Sequence, residues 1–178
     1  MEPDSPRTIL ITGIMAAGKS TVAQLVAERL PRSVHLRGDV FRRMIVNGRA
    51  ELGRELSREA DAQLRLRYAL AAAAAQGYQR AGFSVVYQDI ILGAYLPEAV
   101  RLHAGSSLHV VVLCPAPEAV AAREAGRGKV GYRGISVAEL DRALREDTPR
   151  IGLWLDSSAQ SAAETADQIL ANLEAAKV

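Results

Sequence analysis

Apolar residues group along the chain in two ways: as short unbroken runs, and as single positions recurring every three or four residues among polar neighbours. TILITG (8–13), FSVVYQDI (83–90), SLHVVVLCP (107–115) and RIGLWLD (150–156) are of the first kind, and SVHLRG (33–38), where Val34 and Leu36 alternate with polar residues, predicts a further strand. Runs this short and this apolar predict strands, and those without alternation predict strands covered on both faces. The second kind starts at Lys19, where Val22, Leu25, Val26 and Leu30 trace one helical face and Pro31 ends it. VFRRMIVNG predicts a turn or two of helix, and residues 51–80 predict one long helix, or two in sequence, closed near Gly82. LPEAVRLHAG is a helix with Pro97 in its first turn. PEAVAAREAGRGK is a helix running into a glycine- and arginine-rich stretch, SVAELDRALRED is another, and SAAETADQILANLEAA closes the chain.

Strands alternating with helices predict an α/β fold: a five-stranded parallel sheet sandwiched by helices. Residues 1–178 are expected to form a single domain, with the polar, proline-containing residues 1–7 fraying. Ligands of such sheets collect at the carboxyl ends of the strands, which singles out 13–20, 38–42, 88–96, 114–133 and 156–160.

Composition narrows the function classes. A net charge of +2 argues against nucleic acid as the main partner. No apolar span reaches 18 residues, so no membrane partner is expected. The lone cysteine, Cys114, sits in an apolar run and forms no internal disulfide, which suits a cytoplasmic protein and an inert thiol. His35, His103 and His109 share no metal-ligand spacing.

One compositional detail points to chemistry. Only three of the 22 basic residues are lysines, and one of them, Lys19, falls in Gly13-Ile14-Met15-Ala16-Ala17-Gly18-Lys19-Ser20. This is G-x-x-x-x-G-K-[ST], placed between a predicted strand and a predicted helix, the context a phosphate-binding loop needs. Main-chain amides of such a loop, Ala16 and Ala17 among them, turn inward around an anion at the positive end of the helix. Gly13 and Gly18 permit the backbone angles, Lys19 reaches the β- and γ-phosphates of a nucleotide, and Ser20 beside Thr21 supplies a hydroxyl for Mg²⁺.

Four further places qualify. Asp39, beyond the second strand, can accept a proton from a substrate hydroxyl, or can simply cap the helix predicted from Val40. Arg42 or Arg43, about one helical turn later, can hold an anionic or polar part of the acceptor. Gln88, Asp89 and Tyr95 follow the third strand; Asp89 can face Mg²⁺ or the acceptor. Arg123 and Arg127, four apart, share a helix face leading into Gly126, Gly128, Gly131 and Gly134. That pattern predicts a mobile lid over about 123–135 carrying arginines to the phosphates, with Lys129 and Arg133 as lesser members. Asp156 or Ser157 is the expected cap of the last helix.

The phosphate loop together with GDVFR (38–42) resembles the small P-loop kinases of the adenylate-kinase-like superfamily, in particular the chloramphenicol phosphotransferase-like group; GDVFR is also similar to the GDxxR stretch of adenylylsulfate kinases. The resemblance implies a P-loop NTPase fold, an aspartate at position 39 near the acceptor hydroxyl, and a share of the acceptor pocket for the region after Asp89. It also implies lid arginines on the phosphates, one of them stacked on adenine, and backbone contacts to the base from the loop after the fifth strand. The expected activity is transfer of the γ-phosphoryl of MgATP to a hydroxyl on a small molecule, an antibiotic or a metabolite. Met44, Ile45, Ile90, Ile91 and Leu92 tilt the acceptor toward the partly apolar. Two other readings share the loop: a nucleotide-binding regulator without an acceptor, and a toxin-like kinase of an activated sugar. The N-K-x-D stretch that selects guanine is absent.

Overall fold

A computed structural model describes residues 5–125 and 135–178. Five parallel strands form one sheet in the order β2-β3-β1-β4-β5. They are β1 (Thr8–Gly13), β2 (Ser33–Arg37), β3 (Ser84–Gln88), β4 (Leu108–Leu113) and β5 (Leu153–Leu155). Every residue of β1, β3 and β4 is buried, as unbroken apolar runs require. Thr8 is in register with Val85 on one side and Leu108 on the other.

The chain leaves β1 toward β2 but leaves β3 in the opposite direction, toward β4. With right-handed crossovers, the helices following β1 and β3 therefore lie on opposite faces, and a crevice opens between those strand ends. Helix α1 (Lys19–Glu28) packs with α7 (Ala162–Ala171), while α3 (Arg58–Arg80) packs with α4 (Tyr95–Leu102). Alanines dominate the buried helix faces: Ala23 and Ala27 on α1, and Ala60, Ala71, Ala72 and Ala75 on α3. Small residues let the helices sit close to the sheet, so a core forms with little aromatic mass.

Short helices complete the fold: α2 (Asp39–Arg43), α5 (Pro117–Ala125) and α6 (Val137–Arg142). Several boundaries differ from the sequence pattern. The long helix starts at Arg58, not near 51, because the Ser57 hydroxyl accepts the Ala60 amide at 3.1 Å and fixes the N-terminus there. The predicted helix 136–147 stays regular only to Arg142, then widens into a π-helical turn, Ala143–Asp147. Thr148 explains the widening: its Oγ1 donates to the Ala143 carbonyl at 2.8 Å and accepts the Gly93 amide at 2.7 Å. β5 is three residues long. Gly152, at φ 71°, passes so close to β4 that a Cβ would lie 2.2 Å from the Val110 carbonyl oxygen. The final helix stops at Ala171 and continues as a 3₁₀ turn, Leu173–Ala176. Its cap is Ser161 in a capping box with Glu164, not Asp156 or Ser157. At the other end, the Arg7 carbonyl already accepts from Val85 N at 2.7 Å, so the sheet begins within the stretch expected to fray.

Candidate active site

The turn between β1 and α1 is built from backbone angles that most side chains disfavour. Gly13 has φ 146° and Gly18 φ 94°, and Ala16 adopts φ 58° between them. A Cβ on Gly13 would sit 2.5 Å from the Leu113 carbonyl oxygen, so glycine is also what lets β1 end against β4. Helix α1 has Gly18 as its N-cap, no capping side chain, and no acid in its first turn. Its leading amides are thus left for an external acceptor, and the positive helix end stands uncompensated. Lys19 is buried and donates from Nζ to the Ile14 carbonyl at 2.6 Å, which folds its ammonium over the loop. Ser20 Oγ donates to Gln88 Oε1 at 3.4 Å, linking the start of α1 to the end of β3.

Arg123, at the end of α5, joins this loop to the one after β5. Its Nη2 donates to the Ser157 carbonyl at 2.7 Å and its Nη1 to the Ala17 carbonyl at 3.4 Å. Beside it lies a cavity of about 250 Å³, walled by Ala16, Ala17, Gly18, Thr21, Ser157, Gln160 and Thr165. Of the predicted loop residues, Ala16, Ala17, Gly18 and Thr21 therefore share one concavity with Arg123, while Gly13, Lys19 and Ser20 do not line it.

Asp39 stands at the carboxyl end of β2. It is the first residue of α2, whose N-cap is Gly38 with no capping side chain, so the helix-cap alternative for Asp39 does not hold. Arg43 Nη2 lies 3.1 Å from Oδ2, and Arg37 Nε stands off at 3.8 Å from Oδ1. Oδ1 is shielded from solvent and accepts no hydrogen bond among the described residues. Arg42 donates through Nη2 to the Ala50 carbonyl at 2.5 Å, while its buried Nε has no partner among the described residues. One turn of helix thus holds an unused acceptor and an unused donor.

Asp89 is placed differently from the expectation of an open Mg²⁺ or acceptor ligand. Its side chain is wholly buried and paired with Arg67 of α3. Arg67 Nε donates to Oδ2 at 2.9 Å and Nη2 to Oδ1; Tyr87 Oη donates to Oδ2 at 3.1 Å and Ile90 N to Oδ1 at 2.7 Å. With both oxygens committed, the carboxylate does not reach the loop, and it is Gln88 that faces Ser20. Burial pushes the Tyr87 phenol well above its ordinary range, which keeps it a donor.

Tyr95 opens α4 and donates to Asp61 Oδ1 at 2.5 Å. Burial first and the Asp61 bond second push its phenol up to about 12, while that bond holds the Asp61 carboxyl below its usual range. Tyr95 also walls a second cavity, of about 300 Å³, lined mainly by Leu52, Leu56, Leu64, Tyr68, Ile90, Leu92, Ile135 and Leu140. Of the apolar residues expected at an acceptor edge, Ile90 and Leu92 line this cavity, Ile91 is core, and Met44 projects into solvent.

Arg127, Lys129 and Arg133 lie outside the described residues, as does most of the expected lid. Arg67 and Asp61 were not singled out from the sequence. A signal for Arg67 existed: it falls in helical phase with buried Ala60, Ala71 and Ala75, an arginine on an alanine stripe. No group of three His, Cys, Asp or Glu side chains suited to a metal occurs among the described residues. No helix among them is long and apolar enough to cross a membrane.

The model of the chloramphenicol phosphotransferase-like protein family matches residues 6–174. The chain belongs to that family. Membership supports a kinase-type phosphotransferase. No individually curated protein matches significantly. Similar solved structures share the fold at low identity. The Mycobacterium tuberculosis APS kinase in complex with AMPPNP and APS is 23% identical with a TM-score of 0.71, over 97% of this chain and 99% of that one. The Deinococcus radiodurans tunicamycin resistance protein is 19% identical (TM-score 0.66; 94% and 95% covered), and a gluconokinase from Sinorhizobium meliloti 1021 is 20% identical (0.63; 96% and 93%). This family member thus has a P-loop kinase fold.

Proposed function

We propose that the protein transfers the γ-phosphoryl group of ATP to a hydroxyl of a small molecule with an apolar body, such as an antibiotic or a metabolite. The observation that carries this reading is Asp39 Oδ1, which is shielded from solvent, accepts no hydrogen bond among the described residues and has only Arg37 Nε at 3.8 Å, at the strand end beside Gln88. Buried acceptors are almost always partnered, so an unused one at a strand end is a place for a ligand's proton.

The residues divide the work. Gly13, Ala16, Ala17 and Gly18 supply main-chain amides to the triphosphate, with Thr21 beside them. Lys19 exchanges the Ile14 carbonyl for phosphate oxygens. Arg123, already between the loop and Ser157, offsets charge as the phosphoryl group moves. Ser20 would ligate Mg²⁺, which neutralises charge across the β- and γ-phosphates when bound. The acceptor hydroxyl gives its proton to Asp39 and its oxygen attacks the γ-phosphorus; the bond to the β–γ bridging oxygen breaks and ADP leaves. Arg42 and Gln88 orient polar parts of the acceptor, and the apolar cavity beside Tyr95 takes its body.

A screen of hydroxylated antibiotics and metabolites with γ-labelled ATP tests this, with mass spectrometry reading a gain of one phosphate. Label recovered only as inorganic phosphate across the library would instead mark a nucleotide-hydrolysing regulator.

A further inference from the structure

The Arg67–Asp89 pair is expensive to keep. Both side chains are out of water, and such a pair is often replaceable by apolar residues without loss of stability. Its place suggests why it is there. Asp89 Oδ2 lies directly beneath Gly38: a Cβ on Gly38 would come 1.9 Å from that oxygen and 3.0 Å from the Tyr87 ring. Gly38 N in turn donates to the Gln88 carbonyl at 3.1 Å. The carboxylate is therefore the floor on which the β2–α2 turn rests, one residue before Asp39 and one residue after Gln88. Its grip comes from α3, where the neighbouring Tyr68 donates to the Ile90 carbonyl at 2.9 Å and walls the apolar cavity.

We propose that the Arg67–Asp89 ion pair is a positioning device: it sets the height and angle at which α2 presents Asp39, and it ties that setting to the acceptor cavity through α3. A planar guanidinium held by two bonds to a carboxylate fixes orientation as well as distance, which a packed apolar pair would not do. Arg67 and Asp89 are thus positioning residues that touch neither nucleotide nor acceptor. The inference rests on the reading of Asp39 as the proton acceptor, and its test needs no acceptor molecule.

The test uses the whole protein with Arg67→Met and Asp89→Leu combined. Thermal melting is expected to show a cooperatively folded variant with a lowered Tm, because Tyr87 Oη and Ile90 N lose the acceptor they share in Asp89. Relaxation-dispersion NMR is expected to reveal microsecond-to-millisecond exchange at the amides of Asp39 to Arg43, while Gly13 to Gly18 stay quiet. Calorimetry is expected to find MgATP affinity within about threefold of wild type. A quiet α2 in a folded double variant would overturn the proposal, leaving the pair a replaceable piece of core. So would about tenfold weaker MgATP binding without change in metal-free ATP binding, which would make Asp89 a metal-side group. Should the double variant not fold, Arg67→Lys keeps the charges but loses the fork, and the same exchange at α2 is expected; its absence overturns the idea. Failure of the parent reading shows separately, as full phosphoryl transfer by Asp39→Asn.

Discussion

On the proposed reading, Asp39 acts through the oxygen that accepts no hydrogen bond among the described residues. A carboxylate oxygen held from solvent without a donor binds an incoming hydroxyl at little desolvation cost. Asp39→Asn is therefore expected to lower acceptor phosphorylation by about 10²–10⁴-fold, the usual loss on removing a general base, with ATP affinity unchanged. Product formation by mass spectrometry and ATP binding by calorimetry check the two halves; a parallel fall in both would count against the role. His103 makes a second prediction at this scale. It is buried with neither ring nitrogen bonded among the described residues, and burial pushes its pKa from 6.5 down to about 4. The unfolded chain then binds the extra proton between those values, so stability rises with pH through that window and is lost as pH falls from 6.5 toward 4. His103→Leu should flatten Tm against pH over the same interval. An unchanged slope would assign the acid sensitivity elsewhere, for example to His109, whose pKa burial also lowers.

At the scale of elements, the loop works because β1 and β4 stay in contact up to their ends. Gly13 pairs with Leu113, and any side chain there meets the Leu113 carbonyl. Gly13→Ala combines that overlap with an unfavourable φ and should cost about 2–3 kcal/mol, measured as a lowered midpoint in urea. A change near zero would mean that the strand ends separate freely. Helix α3 is the other working element. It is the longest in the chain, yet few of its residues meet the candidate site: Arg67 and Tyr68 reach Asp89 and Ile90, Asp61 accepts from Tyr95, and Leu64 lines the apolar cavity.

At the scale of the molecule, nucleotide is expected to hold the loop after β1, α5 and the loop after β5 together, since Arg123 already spans all three. Saturation to about a hundred times Kd stabilises a protein by about 2.7 kcal/mol, or about 5–10 °C in Tm at this size. MgATP should produce such a shift by scanning fluorimetry, and Lys19→Ala should abolish it while melting as wild type in buffer. A shift that survives Lys19→Ala would place the nucleotide away from the loop.

The sequence alone determined the features that depend on neighbours in the chain. Short apolar runs located β1, β3, β4 and β5, the alternating SVHLRG located β2, the 3.6-residue period located the helices, and the Gly13–Ser20 spacing located the phosphate loop, since strand, turn and helix there are contiguous. Caps misled by a few residues, because several serines and aspartates near a helix start compete and only backbone geometry chooses Ser57 or Ser161. What only the tertiary structure decided is which charges meet across the sheet. From its strand end Asp89 could face Mg²⁺ or the acceptor, but Arg67 arrives from a helix 22 residues earlier and bonds both of its oxygens. Asp39 could also cap a helix from Val40, until α2 proved to begin at Asp39 itself, with one carboxylate oxygen accepting no hydrogen bond among the described residues. Periodicity records which face of an element is dry; it does not record what stands opposite, and a buried charge takes its meaning from its partner.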